Sequence, residues 1–546
     1  MNSLVTQVSL IVKNVFDVDI IPVLTRPNAQ FGDYSTNVAM QLAKPLGKNP
    51  RALAEIIAEK LAETNEFESV SVAGPGFLNI SLKDEALLAQ IRQEPRPSRA
   101  GKTAVIETNC PNPFKAMHIG HAYNSIIGDT IANLLAVSGA KVHRVSYHGD
   151  VGAHVGKSMW AWLKYVDGDA AKLDQIPETE RNVWMNKMYA EGATAAKEDE
   201  AAKKEIEELA QQSFTREDSL YAKVYDTVKE WSFMQIDTNV KKIGNVPIER
   251  RYLESQADPV GVATVKANVP EVFQESDGAI VFEGSKHGSF DNAFIGSNGR
   301  GLYAAHDMGL IQLKAQDYPN MDLCVTVTGG EQAAYFKGVI AAAELALPET
   351  KGKMQNFSTG LVKLSTGKMS SRSGDVITIE WLFDEFSKAI TARGGQPDEE
   401  IVAGALRYQF LKVKVGGDVV FDVNEAVSLT GNTGSYLQYA HARARRILEK
   451  TSAEFTMPAE IRSEDRALVR KLGEYHEVVE LAARTLEPHH ICSYLFELAQ
   501  EFNRYYEQHQ VVGSDHEAHR AGLVALYADT LRAGLMILGI HAPNSM

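Results

Sequence analysis

A turn with two histidines, set between an apolar run and an amphipathic segment, constrains the fold of this chain most strongly. The apolar run is Ala104-Val105-Ile106, and the histidines belong to His118-Ile119-Gly120-His121. Apolar residues then recur at helical spacing: Ile126, Ile127, Ile131, Leu134 and Leu135. Gly139 ends this pattern, and residues 141–147 alternate like a strand. The stretch therefore predicts a βαβ unit with both histidines at the helix entrance.

A helix entrance suits an anion, because its unpaired N–H groups and the positive end of its dipole point outward. Gly120 leaves room for a flat ligand or a phosphate. His118 and His121, three residues apart, can face the same mouth and donate hydrogen bonds to a developing oxyanion. We expect a nucleotide phosphate as the ligand. The alternatives are a structural histidine pair or a zinc site, although zinc would need further ligands at workable spacing.

A second motif lies in a loop of small residues that contains Lys368-Met369-Ser370-Ser371-Arg372. Taken alone, this run is best interpreted as a solvated basic loop. Together and in this order, the histidine motif and the lysine motif resemble the HIGH and KMSKS signatures of class I aminoacyl-tRNA synthetases. Two motifs in the right order are far more specific than either one.

Within that class, the chain most resembles the arginyl-tRNA synthetases along nearly its whole length. The matching residues are Asn112-Pro113, Lys115, Tyr147-His148-Gly149-Asp150-Val151-Gly152, Tyr303, Asp307, Glu331-Gln332, residues 429–443 and residues 538–543. The resemblance implies an α/β fold with a Rossmann-type catalytic domain, an N-terminal α+β domain and a C-terminal all-α helical bundle.

We expect three domains. The N-terminal domain would span 1–92 and contact tRNA, although a scaffold or dimerisation module remains an alternative. The catalytic domain would span 99–428, with a connective insertion at about 155–265 and a mobile KMSKS-like loop at 368–372. The helical bundle at 429–546 would bind the anticodon. The Pro-rich residues 94–99 would form the first linker.

Local patterns add detail to these domains. Apolar spacing predicts helices near 38–46 and 53–61, and strands at 70–72 and 77–82. The charged, alanine-rich run 195–209 predicts an exposed helix. Two further apolar runs, 278–282 and 324–328, are predicted to be strands of a parallel sheet.

Composition sets limits on the function. A chain of 546 residues is too long for one core, and its three scattered cysteines fit a reducing cytoplasm. We find no apolar run of 18 residues, so we expect no membrane span. The formal charge of −14 argues against nonspecific binding to nucleic acid. A cytoplasmic monomer is expected.

The resemblance implies an arginine–tRNA ligase that uses ATP with Mg²⁺. Arginine would attack the α-phosphorus to give arginyl-adenylate, and the 3′ end of tRNA(Arg) would then take the arginyl group. The implied catalytic residues are His118, His121, Lys115 and Lys368. The implied ATP-binding residues are His118, Gly120, His121, Lys368, Met369, Ser370, Ser371 and Arg372. Ser371 replaces the second lysine of KMSKS, and we predict that Lys115 supplies the missing cation.

A planar guanidinium calls for carboxylate partners. The implied arginine-binding residues are Glu107, Asn112, Tyr303, Asp307 and Gln332, with Tyr303 and Asp307 on one helix face. Surface carboxylates are the alternative for Glu107 and Asp307. No structural metal is expected.

A basic and aromatic face is predicted in the C-terminal bundle. The implied tRNA-binding residues are Tyr436, Tyr439, Arg443, Arg446, Asn503 and Tyr506. Core tyrosines and a solvated arginine stripe are the alternative. For the whole chain, the alternatives are another class I synthetase or a synthetase-like RNA-binding protein without catalysis.

Overall fold

The computed structural model describes residues 2–93, 97–365 and 377–546. Residues 2–92 form an α+β module. Its helices are α1 Asn2–Phe16, α2 Val38–Leu46, α3 Pro50–Glu63 and α4 Asp84–Arg92. Its strands are β1 Leu24–Thr25, β2 Tyr34–Thr36, β3 Phe67–Ala73 and β4 Phe77–Leu82, paired antiparallel in the order β1-β2-β4-β3. The predicted helices and strands of this module are confirmed, and α1 is an additional helix.

The central region alternates strands and helices. Its first part contains β5 Thr103–Glu107, α5 Ile119–Val137, β6 Lys141–His148, α6 Ala153–Val166, α7 Arg181–Glu198, α8 Glu200–Thr215 and α9 Ser219–Lys242. Its second part contains β7 Arg250–Leu253, α10 Glu254–Ala267, β8 Gln274–Ser276, β9 Ala279–Phe282, β10 Asn292–Ile295, α11 Tyr303–Asp317, β11 Leu323–Gly329, α12 Ala333–Ala346 and β12 Met354–Thr359.

A five-stranded parallel sheet organises this region, in the order β12-β11-β5-β6-β7. Val105 of β5 lies beside His143 of β6 and Cys324 of β11. The predicted βαβ unit is confirmed, because β5 and β6 pair in parallel and α5 connects them. The prediction for 324–328 is also confirmed.

The prediction that 278–282 belongs to the parallel sheet is wrong. β9 pairs antiparallel with β8 and β10 in a separate three-stranded sheet. Asp277 and Gly278, with φ of 50° and 80°, form the two-residue turn between β8 and β9. An Asp-Gly pair adopts such positive φ values readily, and it is therefore a signal for a tight hairpin.

The expected insertion also needs correction at two places. β7 at Arg250–Leu253 pairs in parallel with β6, so the chain is back in the main sheet before residue 265. Two charged residues at the start of this short edge strand hid it from the apolar pattern. The predicted helix over 195–209 is two helices, because α7 ends at Glu198 and Asp199 caps α8 by accepting from the N–H groups of Ala201 and Ala202.

Helix α5 is buried along most of its length, including all five apolar residues of the predicted pattern. It packs closely on β5 at Gly128, where a Cβ would lie 2.7 Å from the carbonyl oxygen of Glu107. The absence of a side chain there permits the close contact between helix and strand. The histidine end of α5 is thereby held above the end of β5.

The remaining elements complete the central region and form a helical bundle. They are β13 Val362–Leu364, α13 Ile379–Ala392, α14 Glu399–Leu411, β14 Val419–Phe421, α15 Val423–Ala426, α16 Gly434–Lys450, α17 Arg466–Gly473, α18 Tyr475–Thr485, α19 His489–Gln508 and α20 Glu517–Ile537. The predicted C-terminal helical bundle is confirmed. Among the described helices, none combines the length and the apolar character needed to cross a membrane.

Arg407 of α14 joins three distant parts of the chain and is fully buried. Its guanidinium donates to Asp129 Oδ2 on α5 at 3.0 Å, to Asn245 Oδ1 at 2.5 Å and to the carbonyl oxygen of Leu538 at 2.8 Å. A Cβ at Gly539 would lie 2.3 Å from the same guanidinium. This one side chain therefore connects α5, the helix that begins at the two histidines, to the C-terminal end of the helical bundle.

Candidate active site

A cavity of about 970 Å³ opens where β5, β6 and β11 end, beside the entrance of α5. It is lined by predicted site residues: Glu107, Asn112, Lys115, His118, Gly120, His121, Tyr303, Asp307 and Gln332. The carboxyl ends of parallel strands are where open α/β sheets bind ligands. The structure thus brings together at one place every predicted nucleotide and amino-acid contact that it describes.

The two histidines form a reciprocal cap on α5. His118 Nδ1 accepts from the N–H of His121 at 3.4 Å, and His121 Nδ1 accepts from the N–H of His118 at 3.3 Å. Their rings stack with centroids 3.7 Å apart. A neutral imidazole that accepts at Nδ1 carries its proton at Nε2. Each ring therefore keeps one Nε2–H with which to donate a hydrogen bond.

Both imidazoles are neutral at neutral pH. Burial, together with the charge of Lys115, lowers the pKa of His118 to about 4. Burial holds the pKa of His121 well below its ordinary value, and the nearness of His118 and the charge of Lys115 add to this lowering. Gly120 lies under the His118 ring, where a Cβ would come within 3.2 Å of it. The glycine makes room for the ring that caps the helix.

Lys115 approaches the histidines from the preceding turn. Phe114, with φ of 65°, turns the chain there, and its N–H donates to Ser232 Oγ at 3.0 Å. Burial lowers the pKa of Lys115. Within the described ranges Lys115 forms no ion pair, so its ammonium group has no carboxylate to neutralise it. An unpaired cation beside two N–H donors suits an anionic ligand.

Asn112 and Gln332 both line the cavity. Asn112 Oδ1 accepts from the N–H of Gly149 at 2.9 Å, which fixes the amide orientation. A Cβ at Gly149 would lie 2.7 Å from Glu254 Oε2 and 3.2 Å from Asn112 Oδ1, so the glycine lets both side chains reach the cavity. Gln332 precedes α12 and is half-buried.

Asp307 is a buried carboxylate, not a surface one. Its Oδ2 accepts from Tyr335 Oη at 2.5 Å, and Tyr303, one helical turn earlier, also faces the cavity. Burial raises the pKa of Asp307 to about 7, with Glu107 and Glu254 adding to the rise. Asp307 makes no ion pair with any residue that the structure describes, and a cationic ligand could supply its missing partner.

Glu107 is also buried, but it is already paired. Lys314 Nζ and Thr326 Oγ1 donate to its Oε1, and Cys110 Sγ donates to its Oε2 at 3.4 Å. Burial by itself would lower the pKa of Lys314, but the neighbouring Cys324 and Glu107 raise it above its ordinary value. Lys314 was not predicted as a site residue, although it lies seven residues after Asp307, on the same helix face.

A second ionic group was also missed. His306 Nδ1 contacts Glu254 Oε1 at 2.6 Å, and its Nε2 lies 3.1 Å from Asp258 Oδ1. Burial works against protonation, but these two carboxylates raise the pKa of His306 to about 9. Glu254 lines the cavity at the end of β7. Recognition of β7 would have identified it, because strand ends surround the site.

The lysine motif, Lys368-Met369-Ser370-Ser371-Arg372, lies outside the described residues, and so does its predicted approach to the histidines. The next described residue after this segment, Ile377, accepts at its carbonyl oxygen from the N–H of Ile119 at 2.9 Å. Ile377 also lines the cavity.

Four of the predicted tRNA-binding residues form one patch across α16 and α19. Asn503 Nδ2 donates to Tyr436 Oη at 2.8 Å, and the Arg443 guanidinium lies 4.9 Å from the centre of the Tyr506 ring. Arg443 also approaches Asn503 Oδ1 at 3.5 Å. Tyr439 and Arg446 are exposed on α16. The tyrosines are partly open rather than fully buried, so the patch presents rings, an amide and a guanidinium.

A parallel sheet with two capping histidines at the entrance of its first crossover helix, next to a helical bundle, agrees with the architecture of class I aminoacyl-tRNA synthetases. Family models agree with this assignment. The arginyl tRNA synthetase N-terminal domain matches residues 2–82, the catalytic domain of tRNA synthetases class I (R) matches 84–403, and the DALR anticodon binding domain matches 437–546. The chain therefore belongs to the class I (R) tRNA synthetase family.

Relatives and solved structures are consistent with this family. Proteins named arginine–tRNA ligase from Porphyromonas gingivalis and Bdellovibrio bacteriovorus are each 28% identical, over 96% and 95% of this chain and 95% and 93% of theirs. The fold matches the Thermus thermophilus arginyl-tRNA synthetase with a TM-score of 0.83 at 24% identity, over 100% of both chains. The Plasmodium falciparum arginyl-tRNA synthetase gives 0.81 at 19% identity, over 100% of this chain and 99% of that one.

Proposed function

We propose that this protein is an arginine–tRNA ligase. It activates L-arginine with ATP, supplied as its Mg²⁺ complex, to arginyl-adenylate and pyrophosphate. It then transfers the arginyl group to the 3′ end of tRNA(Arg), releasing AMP. The name shared by its relatives and the residues around the cavity support this proposal. We expect the reaction in the cytoplasm, where charged tRNA is used, and we expect the protein to act as a monomer.

In the first step, an oxygen of the arginine carboxylate forms a bond to the α-phosphorus while the bond to pyrophosphate breaks. The protein supplies no nucleophile and acts by alignment and charge stabilisation. The Nε2–H groups of His118 and His121 would donate to the phosphate oxygens, and the ammonium of Lys115 would face the added negative charge. Lys368, beyond the described residues, is proposed as a second cation.

One observation supports the proposal most: a single cavity contains both groups suited to an anion and a group suited to a cation. Neutral imidazole donors and Lys115 lie at one part of it, and the buried carboxylate of Asp307 lies at another. A guanidinium is a planar cation with several N–H donors, and Asp307 with Tyr303 beside it offers acceptors for it. Asn112 and Gln332 would hold the α-amino and carboxylate ends of the substrate.

A charging assay with each of the twenty amino acids, ATP and total tRNA tests the function. We expect arginine alone to be esterified to tRNA. Charging of a different amino acid would favour another class I synthetase. No charging, and no exchange of pyrophosphate into ATP with arginine and tRNA present, would favour a synthetase-like RNA-binding protein.

The patch on α16 and α19 is proposed to bind the anticodon of the tRNA, with bases stacking on exposed rings. Arg443→Ala is expected to raise the KM for tRNA about tenfold and to leave the dissociation constant of arginine unchanged. Arg532→Ala, on α20 with an exposed side chain paired to Asp529, provides a matched control. Equal KM values for the two variants would remove the patch from the tRNA site.

A further inference from the structure

The ion pair between Lys314 and Glu107 lines the cavity, yet none of the steps above uses Lys314. We propose that Lys314 is a positioning residue for arginine recognition: it binds Glu107 and so leaves Asp307 as the carboxylate that receives the guanidinium. This inference rests on the proposed function and adds a specificity determinant to it.

The contacts of Glu107 support this division of roles. Its Oε1 accepts from Lys314 Nζ and, at 2.9 Å, from Thr326 Oγ1, while its Oε2 accepts from the thiol of Cys110. The Lys314 side chain is 1% exposed. Both oxygens of Glu107 thus have partners within the protein, whereas Asp307 accepts, among the side chains that the structure describes, only from a neutral phenol.

Helix α11 positions both groups. Asp307 and Lys314 lie seven residues apart, which places them on the same face two turns from each other. The helix therefore presents a carboxylate and an ammonium group to the same cavity. The ammonium group contacts Glu107 on β5, which leaves the carboxylate for a ligand.

The other titratable groups around the cavity do not neutralise Asp307. The charged ones that act on Asp307 are Glu107, which pairs with Lys314, and Glu254 and His306, which form a second group with Asp258. Lys115, beside the histidines, and Glu331 also line the cavity. The uncharged ones are Cys110, Tyr147, Tyr303, Cys324 and Tyr335. Asp258 is the most exposed of the acids in the second group, at 24%. One carboxylate thus remains for one guanidinium.

Removing the Lys314 charge should change how the cavity titrates. Burial and the charges of Glu107 and Glu254 already raise the pKa of Asp307 to about 7. Without Lys314, Glu107 would lose its cationic partner, and two neighbouring buried carboxylates resist losing both protons. Arginine would then have to displace a proton held more tightly, and it would bind weakly until the pH is raised.

The test measures arginine binding by calorimetry with the full-length protein between pH 6 and 9. The wild type should bind more tightly as the pH rises through a midpoint near 7, and it should reach a plateau above about 8. Lys314→Met should move this midpoint up by about one unit, which weakens binding about fivefold at pH 7 but hardly at all at pH 9. Lys314→Arg keeps the cation and should keep the wild-type midpoint.

A double variant, Lys314→Met with Glu107→Gln, removes both charges of the pair and should restore the midpoint near 7. It also keeps the test valid if Lys314→Met alone fails to fold, because replacing both partners of a buried pair is tolerated better than removing one. Lys102→Met, which breaks the exposed pair with Asp322 at the other end of β5, is the control and should leave the profile unchanged.

Weaker arginine binding that is equal at every pH in Lys314→Met would indicate a merely structural role and would overturn the inference. An unmoved midpoint in that variant, or a raised one in the double variant, would do the same. ATP binding, measured in parallel, should stay unchanged in all variants. If the wild type binds no arginine at any pH, the proposed function fails instead, so the two failures are distinguishable.

Discussion

Two buried ion pairs attach to the same βαβ unit but differ in what surrounds them. Arg407 and Asp129 are both 0% exposed, and the guanidinium also contacts Ile243, Asn245 and Leu538 from distant segments. Lys314 and Glu107 are almost as buried, but they line a cavity and lie next to Asp307, a carboxylate that has no cationic partner in the described part of the chain. One pair uses its hydrogen bonds to join segments, and the other sets the charge of a binding site.

The difference between the two ion pairs separates residues that stabilise the fold from residues that recognise the ligand. An arginine fork with protein partners on several sides has no donor left for a ligand. A lysine that meets one carboxylate at a cavity wall changes the charge that a ligand encounters. Variants of the first pair should therefore act on folding, and variants around the second should act on arginine binding.

Arg407→Met should have the largest effect. The variant removes contacts to three segments and leaves Arg144 as the remaining cation beside the buried carboxylate of Asp129. Removing one partner of a buried ion pair costs about 3–5 kcal/mol. The free energy of unfolding from urea titration measures this loss, with Lys102→Met as the exposed control. A stability within about 0.5 kcal/mol of wild type would show that the Arg407 contacts are dispensable.

Asp307→Asn should weaken arginine binding about 10- to 100-fold without weakening the fold, since it removes a charge-assisted contact of about 1.5–3 kcal/mol. The pKa of Asp307 lies at about 7 in the folded protein, above its ordinary 3.8. The free energy of unfolding therefore decreases as the pH rises from 3.8 to about 7, and the full cost is present above 7. The variant should therefore be as stable as the wild type at pH 8, or more stable. Asp322→Asn is the matched surface control, and an unchanged arginine dissociation constant in Asp307→Asn would remove this residue from the pocket.

Arginine binding to the wild type should release protons. Because the carboxylate form of Asp307 is required and its pKa is about 7, about half a proton should leave per arginine bound at pH 7, and almost none at pH 9. Calorimetry in buffers of different ionisation enthalpy measures this number. Binding without proton release at pH 7 would show that Asp307 is already ionised in the free protein.

Lys115→Ala should have the smallest effect on folding, since Lys115 has no ion pair within the described residues. Adenylate formation should still fall about tenfold, because a cation that faces the phosphate is lost. The rate of pyrophosphate exchange, with tRNA present, measures this loss. A rate within about twofold of wild type would mean that Lys115 does not replace the missing lysine of the second motif.

The sequence predicted the central fold well because its signals are local. The βαβ unit around His118 follows from helical spacing and a helix stop, and the position of the histidines follows from it. Asp277-Gly278 was an equally local signal for a hairpin, but the apolar run after it was taken for a parallel strand. Arg250 and Arg251 concealed an edge strand, whose polarity comes from its exposed position.

The site was predicted in part, because pairing depends on tertiary contacts. Asp307 could be proposed from the resemblance, but Glu107 acquires a partner from α11 that lies 207 positions along the chain. A lysine in a helix usually indicates a solvated face, whereas Lys314 is buried and its ammonium group contacts Glu107 on β5 and Cys324 on β11. The histidine at 306 likewise gains its charge from α10, which no local pattern joins to it.

The reciprocal cap at the start of α5 bears on how the motif can vary. Each ring must reach the backbone N–H of the other residue. This geometry exists between the N-cap residue, His118, and the third residue of the helix, His121. Adding or deleting one residue between them would rotate one ring by about 100° around the helix axis. The two-residue gap in His118-Ile119-Gly120-His121 is therefore set by the geometry of the helix cap. An insertion or deletion between the two histidines should break the cap even in the protein without substrate.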